Sequence, residues 1–223
     1  MLPAEVIAAN LYAVEQRIAA ACQRAGRARS EVTLVAVSKT FPAEAVTAAF
    51  TAGVTDVGEN RVQETRDKQP LVSGRGRWHL IGHLQSNKAK DAVRLFDMIQ
   101  TVDSFALAEK IGRAAESEGK VQDVLVQVNI GRETQKSGAG IDELPDLVDA
   151  VKAIAGVRLC GLMAIPPVGL PAEVRGYFRD LRTLRDGLRL EHLSMGMSED
   201  FEAAIEEGST MVRIGRAIFG SRG

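Results

Sequence analysis

Apolar residues recur at helical spacing from Pro3 to Ala25. Val6, Ile7, Leu11, Val14, Ile18, Ala21 and Cys22 share one face there, and Gly26 supplies a stop. The period then changes. Val32-Thr33-Leu34-Val35-Ala36-Val37 is a short, nearly continuous apolar run rich in β-branched residues, as expected of a strand covered on both faces. Ser38-Lys39-Thr40 follows, Pro42 opens a helical pattern over 43–52, and Gly53 ends it.

The unit recurs. Strands are predicted at 55–57, 78–81, 98–101, 124–128, 159–163, 192–194 and 211–214. Helices are predicted between them at 61–71, 87–95, 105–117, 144–154, 172–188 and 199–206. Alternation of this kind implies parallel pairing. With the first strand the count reaches eight, so the expected fold is α/β, a single (β/α)₈ TIM barrel over residues 1–223 with an extra N-terminal helix on its outside. An open doubly wound sheet shares the local pattern, but no GxGxxG follows the first strand to give a dinucleotide-binding version.

Composition narrows the class. The chain has 223 residues, 45% hydrophobic and 26% charged, as an ordinary globular domain does. A net charge of −1 carries no basic footprint for nucleic acid. No apolar run is long enough to span a membrane, and residues 1–10 do not resemble a signal peptide. Cys22 and Cys160 have no CxxC partner and no His at metal-ligand spacing, so both are expected to be small buried hydrophobes in a reducing cytoplasm.

A barrel works at the ends of its strands. Lys39 lies two residues past an apolar strand. A lysine there is commonly a solvated surface group, but in a barrel mouth it can become a desolvated amine nucleophile toward aldehydes. Ser194-Met195-Gly196-Met197-Ser198 and Arg213-Ile214-Gly215-Arg216 follow strands seven and eight, where barrels bind phosphate through backbone N–H groups, and glycine permits close approach of an oxyanion. Ser198 also suits the N-cap of the helix predicted from Glu199. Arg213 and Arg216 add positive charge, unless they serve structural ion pairs.

With Val37-Ser38-Lys39-Thr40, Gly58-Glu59-Asn60, Val62-Gln63-Glu64, Trp78-His79-Leu80-Ile81-Gly82-His83-Leu84-Gln85-Ser86-Asn87-Lys88, Gly161-Leu162-Met163, the 194–198 segment and Arg213-Ile214-Gly215-Arg216-Ala217-Ile218-Phe219-Gly220, the chain resembles the YggS/PROSC family of pyridoxal phosphate homeostasis proteins over nearly its whole length. The resemblance implies a barrel like the alanine racemase N-terminal domain without that enzyme's second domain. It implies a Schiff base between Lys39 and pyridoxal 5′-phosphate, with the phosphate held by Ser194, Met195, Gly196, Met197, Ser198, Gly215 and Arg216. Asn60 and Arg213 are then expected near the ring, Arg213 at the pyridine nitrogen, and Lys136 matches a further family lysine. Arg61 stands where the family usually has an aromatic residue.

Racemisation needs acid/base groups on both faces of the ring. Tyr12 and Tyr177 fall on no strand-end loop, and His83 is the one substitute near the mouth. The expectation is a cytoplasmic, monomeric protein that binds, buffers and delivers the cofactor to apoenzymes, with no catalytic residues and no metal. The alternatives are a weak amino-acid racemase and an interaction module with a vestigial site.

Overall fold

The computed structural model describes residues 2–220 apart from 134 and 136. The chain begins with α1 (Ala4–Arg24). Then β1 (Thr33–Val37), α2 (Ala43–Thr51), β2 (Asp56–Glu59), α3 (Val62–Lys68), β3 (Arg77–Leu80), α4 (Ala89–Leu95), β4 (Met98–Val102) and α5 (Phe105–Ser117) alternate. The second half continues with β5 (Gln122–Gln127), α6 (Leu144–Lys152), β6 (Val157–Met163), α7 (Pro171–Gly187), β7 (His192–Ser194), α8 (Phe201–Glu206), β8 (Met211–Ile214) and α9 (Arg216–Phe219). The eight strands close in sequence order into a barrel. Its seam is parallel, with Val35 paired to Arg213 and Ala36 to Ile214. All eight predicted strands and the extra first helix are present.

Two apolar layers hold the barrel. The outer one lies between strands and helices, where Val57, Leu80, Ile99, Val124 and Val212 meet helical residues such as Val46, Ile111 and Phe201. Inside the barrel, Met98, Leu125, Met163 and Met211 form a smaller cluster. Bulky branched residues usually fill such interiors. Here three methionines do, and polar side chains occupy much of the remaining interior, as described below. The buried face of α1 (Ile7, Leu11, Val14, Ile18, Ala21, Cys22) packs on α2, α8 and α9. Arg17 of α1 forks onto the Glu202 carboxylate and lies over the Phe201 ring at 4.6 Å.

Three details differ from the sequence expectation. The predicted 61–71 helix becomes 3₁₀ at Gln69–Leu71, because Pro70 has no N–H to continue the ladder. The predicted 199–206 helix begins at Phe201. The Asp200 carboxylate accepts the Met197 N–H at 2.6 Å, and Ser198 does not cap this helix. Ser198 Oγ instead lies 3.4 Å from the Ala217 N–H, in the first turn of α9. Cys22 is buried as expected, whereas Cys160 is only half-buried, with its thiol donating to the Arg158 carbonyl. Among the described residues no helix is long and apolar enough to cross a membrane, and no metal-binding cluster occurs.

Candidate functional site

A cavity of about 280 Å³ opens at the C-terminal ends of the strands, beside the β1–β8 seam. Its wall includes Lys39 and Phe41 after β1, Asn60 after β2, Ile81 after β3 and Ile165 after β6. Met197 and Ser198 follow β7, and Arg213, Gly215 and Arg216 come from β8 and α9. Six strands thus end at one hollow, the arrangement that lets a barrel assemble a site from loops.

The Lys39 loop is held from below. Ser38 is fully buried, and its hydroxyl donates to Glu59 Oε1 at 2.7 Å. Lys68 Nζ reaches Glu59 Oε1 at 2.6 Å, Glu64 Oε1 at 2.9 Å and the Ser38 carbonyl at 3.0 Å. The Thr40 N–H donates to the same Glu64 oxygen at 2.6 Å. Thr40 itself sits at φ 69°, a left-handed conformation costly for a β-branched residue. Backbone strain of this kind persists only where the surroundings over-determine it. Burial pushes the Glu59 carboxyl up, against the hydrogen bonds and charge of Lys68 and the hydrogen bond from Ser38.

On the second wall Asn60 Oδ1 is buried without a hydrogen-bond partner, an uncommon state for a polar atom. Gly82 explains why Asn60 can sit there. A Cβ at position 82 would come within 2.2 Å of the Asn60 carbonyl oxygen.

The third wall is cationic. Arg213 is 3% exposed. It donates to Ser194 Oγ at 2.7 Å and to the Ala164 carbonyl at 2.9 Å. Burial pulls its guanidinium down to about 10, with Asp200 opposing, so it stays charged at neutral pH. Arg216 is exposed and pairs with Glu199 at 2.6 Å. Burial pushes the Asp200 carboxyl up, while the Met197 N–H and Arg213 pull it down.

Seven of the ten sequence candidates line the cavity: Lys39, Asn60, Met197, Ser198, Arg213, Gly215 and Arg216. Ser194, Met195 and Gly196 lie behind it. Met195 is packed in the core, and the missing side chain of Gly196 (φ 92°) makes room for Ala204 and Phe201 of α8. Sequence reasoning missed Phe41, Ile81, Asp200 and Gly220 on the wall. Apolar residues beyond a strand give little signal, and Asp200 reads as an ordinary helix-start residue. Lys136 lies outside the described residues. His83 and Tyr12 are solvent-exposed and Tyr177 packs in the outer core, and none of the three lines this cavity.

The family model for the alanine racemase N-terminal domain matches residues 9–223. A curated pyridoxal phosphate homeostasis protein of Aquifex aeolicus is 44% identical over 221 residues, covering 96% of this chain and 97% of that protein. Among solved structures, a protein of unknown function from Bifidobacterium adolescentis superposes with a TM-score of 0.92 at 38% identity, covering 97% and 95% of the two chains. PipY of Synechococcus elongatus, solved with PLP bound, superposes with a TM-score of 0.84 at 38% identity, covering 96% and 100%. The chain belongs to the pyridoxal phosphate homeostasis protein family, built on the alanine racemase N-terminal barrel.

Proposed function

We propose that this protein binds pyridoxal 5′-phosphate in the cavity through Lys39, and that it holds and buffers the cofactor rather than turning over a substrate with it. The observation that carries the reading is that one lysine, one buried arginine and Asn60, whose side-chain oxygen is unpartnered, line the same strand-end cavity. The donor set fits the group. An amine suits the aldehyde, Asn60 Oδ1 can accept from a ring hydroxyl, and Arg213 can donate to a ring nitrogen. Ser198, Arg216 and the backbone around Gly215 offer donors to a phosphate. Phe41, Ile81 and Ile165 give the ring apolar contacts.

Bound pyridoxal phosphate supplies an aldehyde that condenses reversibly with an amine. Every other task falls to the chain. The Glu59–Lys68–Glu64 cluster fixes the loop from which Lys39 extends. Arg213, charged at neutral pH, favours an unprotonated ring nitrogen, which weakens the cofactor as an electron sink. Among the described residues no tyrosine or histidine lines the cavity. The carboxylates that do, Glu199 and Asp200, are engaged by Arg216 and by the Met197 N–H. A proton carrier facing Lys39 is therefore not provided by those groups.

Titration with pyridoxal phosphate should give a visible Schiff-base band, and borohydride followed by peptide mapping should find the pyridoxyl group on Lys39. Lys39→Ala should lose the adduct and melt within about 1 kcal/mol of the parent, since a half-buried strand-end side chain contributes little core area. An unchanged band in that variant would assign the linkage to another lysine. Lys39-dependent exchange of an amino acid's α-hydrogen would favour a racemase instead.

A further inference from the structure

A line of five side chains crosses the barrel interior from the cavity to the opposite end. Arg213 Nη1 donates to Ser194 Oγ at 2.7 Å, and Ser194 Oγ donates to Gln100 Oε1 at 2.6 Å. Gln100 Nε2 lies 2.9 Å from His79 Nδ1, and His79 Nε2 lies 2.8 Å from Asp56 Oδ1. Ser194, Gln100 and His79 are fully buried, and Asp56 is 6% exposed. Thr55 Oγ1 donates to the other Asp56 oxygen at 2.7 Å.

The two ends of this line fix the bonds that Arg213 and Asp56 make. A guanidinium cannot accept, and an ionised carboxylate cannot donate. Burial pushes the Asp56 carboxyl up, but hydrogen bonds from His79 and Thr55 outweigh it and hold it below its ordinary value, so it is an acceptor at neutral pH. His79 then donates from Nε2, and its other nitrogen, Nδ1, faces the Gln100 amide as the acceptor in the Nε2–H tautomer. That fixes the Gln100 amide with its nitrogen toward His79, and the Gln100 oxygen takes the Ser194 proton. All four donors point toward Asp56, an arrangement in which successive bonds polarise one another.

We infer that Asp56, His79, Gln100 and Ser194 are positioning residues that act through one another to hold Arg213 toward the ring nitrogen of the bound cofactor. The inference rests on the pyridoxal phosphate reading above. Two features argue for it over a filler role. A barrel interior can be packed with branched apolar side chains at no desolvation cost, whereas this line buries a cation and an anion apart from each other. The separation also matters for function. A carboxylate placed directly on Arg213 would occupy donors that the guanidinium, which gives two of its five N–H groups to Ser194 and the Ala164 carbonyl, can otherwise turn to a ligand.

The test is a double-mutant cycle with pyridoxal phosphate as the probe, read by dissociation constant and by the wavelength of the bound chromophore. Asp56→Asn keeps the size and removes the charge far from the cavity, and Ser194→Ala breaks the line next to Arg213. Each should weaken binding about threefold to tenfold and move the absorbance maximum, and each effect should vanish in an Arg213→Ala background. Melting curves on the same samples report folding separately. Variants that melt lower while affinity and chromophore are unchanged would make the line structural and overturn the inference. Effects that persist undiminished without Arg213 would also overturn it, since the line would then act by another route. If the parent takes up no pyridoxal phosphate, the cavity reading falls first and the inference falls with it. If it binds normally and only the cycle fails, the cavity reading stands.

Discussion

Two residues beside the cavity carry geometric costs that their neighbours impose. Thr40, next to Lys39, is kept left-handed by its N–H bond to Glu64. Gly82 has no room for a methyl group against the Asn60 backbone. Gly82→Ala should therefore cost about 1–3 kcal/mol, read as a lower melting temperature, because the obstructing atoms are backbone and cannot rotate away. It should also weaken cofactor binding by displacing Asn60. A variant that melts and binds like the parent would show that the two backbones part easily. Arg213→Ala should weaken binding by about tenfold to a hundredfold while leaving the Lys39 linkage in place, as loss of a charged hydrogen bond does. Titration of the variant checks this, and unchanged affinity would remove Arg213 from the site.

At the scale of elements, β8 ends and α9 begins beside the end of β1, so Lys39 and Arg213 share one wall of the barrel. The helices are tied at their ends by charge. Glu207, just past α8, is 6% exposed and meets Arg175 and Arg179 of α7 at 3.1 and 3.2 Å. Burial pushes its carboxyl up, but the two guanidinium groups outweigh this and leave it below its ordinary value of 4.5. Glu206 is lowered too, through Arg175 and Arg24. A lowered carboxylate stabilises the fold above its unfolded pKa, and that contribution is lost as pH falls through the folded one. The melting temperature should hold from neutral pH down to about pH 5 and drop below about pH 4. Glu207→Gln should melt lower at neutral pH, and the gap from the parent should close in acid. A constant gap across that range would assign the effect to packing.

For the whole molecule, the architecture was legible because the first strand is a nearly continuous apolar run, short strand-like segments recur at regular intervals after it, and the helices between them repeat an apolar face. Val32 to Val37 cannot be amphipathic, so it had to be covered on both sides, and α1 had to find a surface beyond the eight repeating units. Boundaries were less legible. The start of α8 depends on the Asp200 carboxylate reaching the Met197 N–H, and the sequence offers Ser198 as an equally good cap. The strand-end rule and the family likeness together brought out Lys39, Asn60 and Arg213. The packing of Gly196 against α8 was hidden, because nothing in a string of letters shows which helix a strand-end glycine lies against. The interior line from Asp56 to Arg213 was hidden for a related reason. Its members stand on five different strands or strand ends, and no local spacing connects them.

The closure of β1 onto β8 has a consequence for how the protein is made. The amine after β1 emerges from the ribosome before the arginine and the Gly215 turn that complete the cavity, which follow only with the eighth strand. A nascent chain therefore presents a reactive lysine long before it can retain a vitamer, and retention reports that the ring of strands has shut. Chains arrested before β8 should be unable to hold pyridoxal phosphate however much of the remaining structure they form, which a pull-down of stalled complexes with labelled cofactor would read directly.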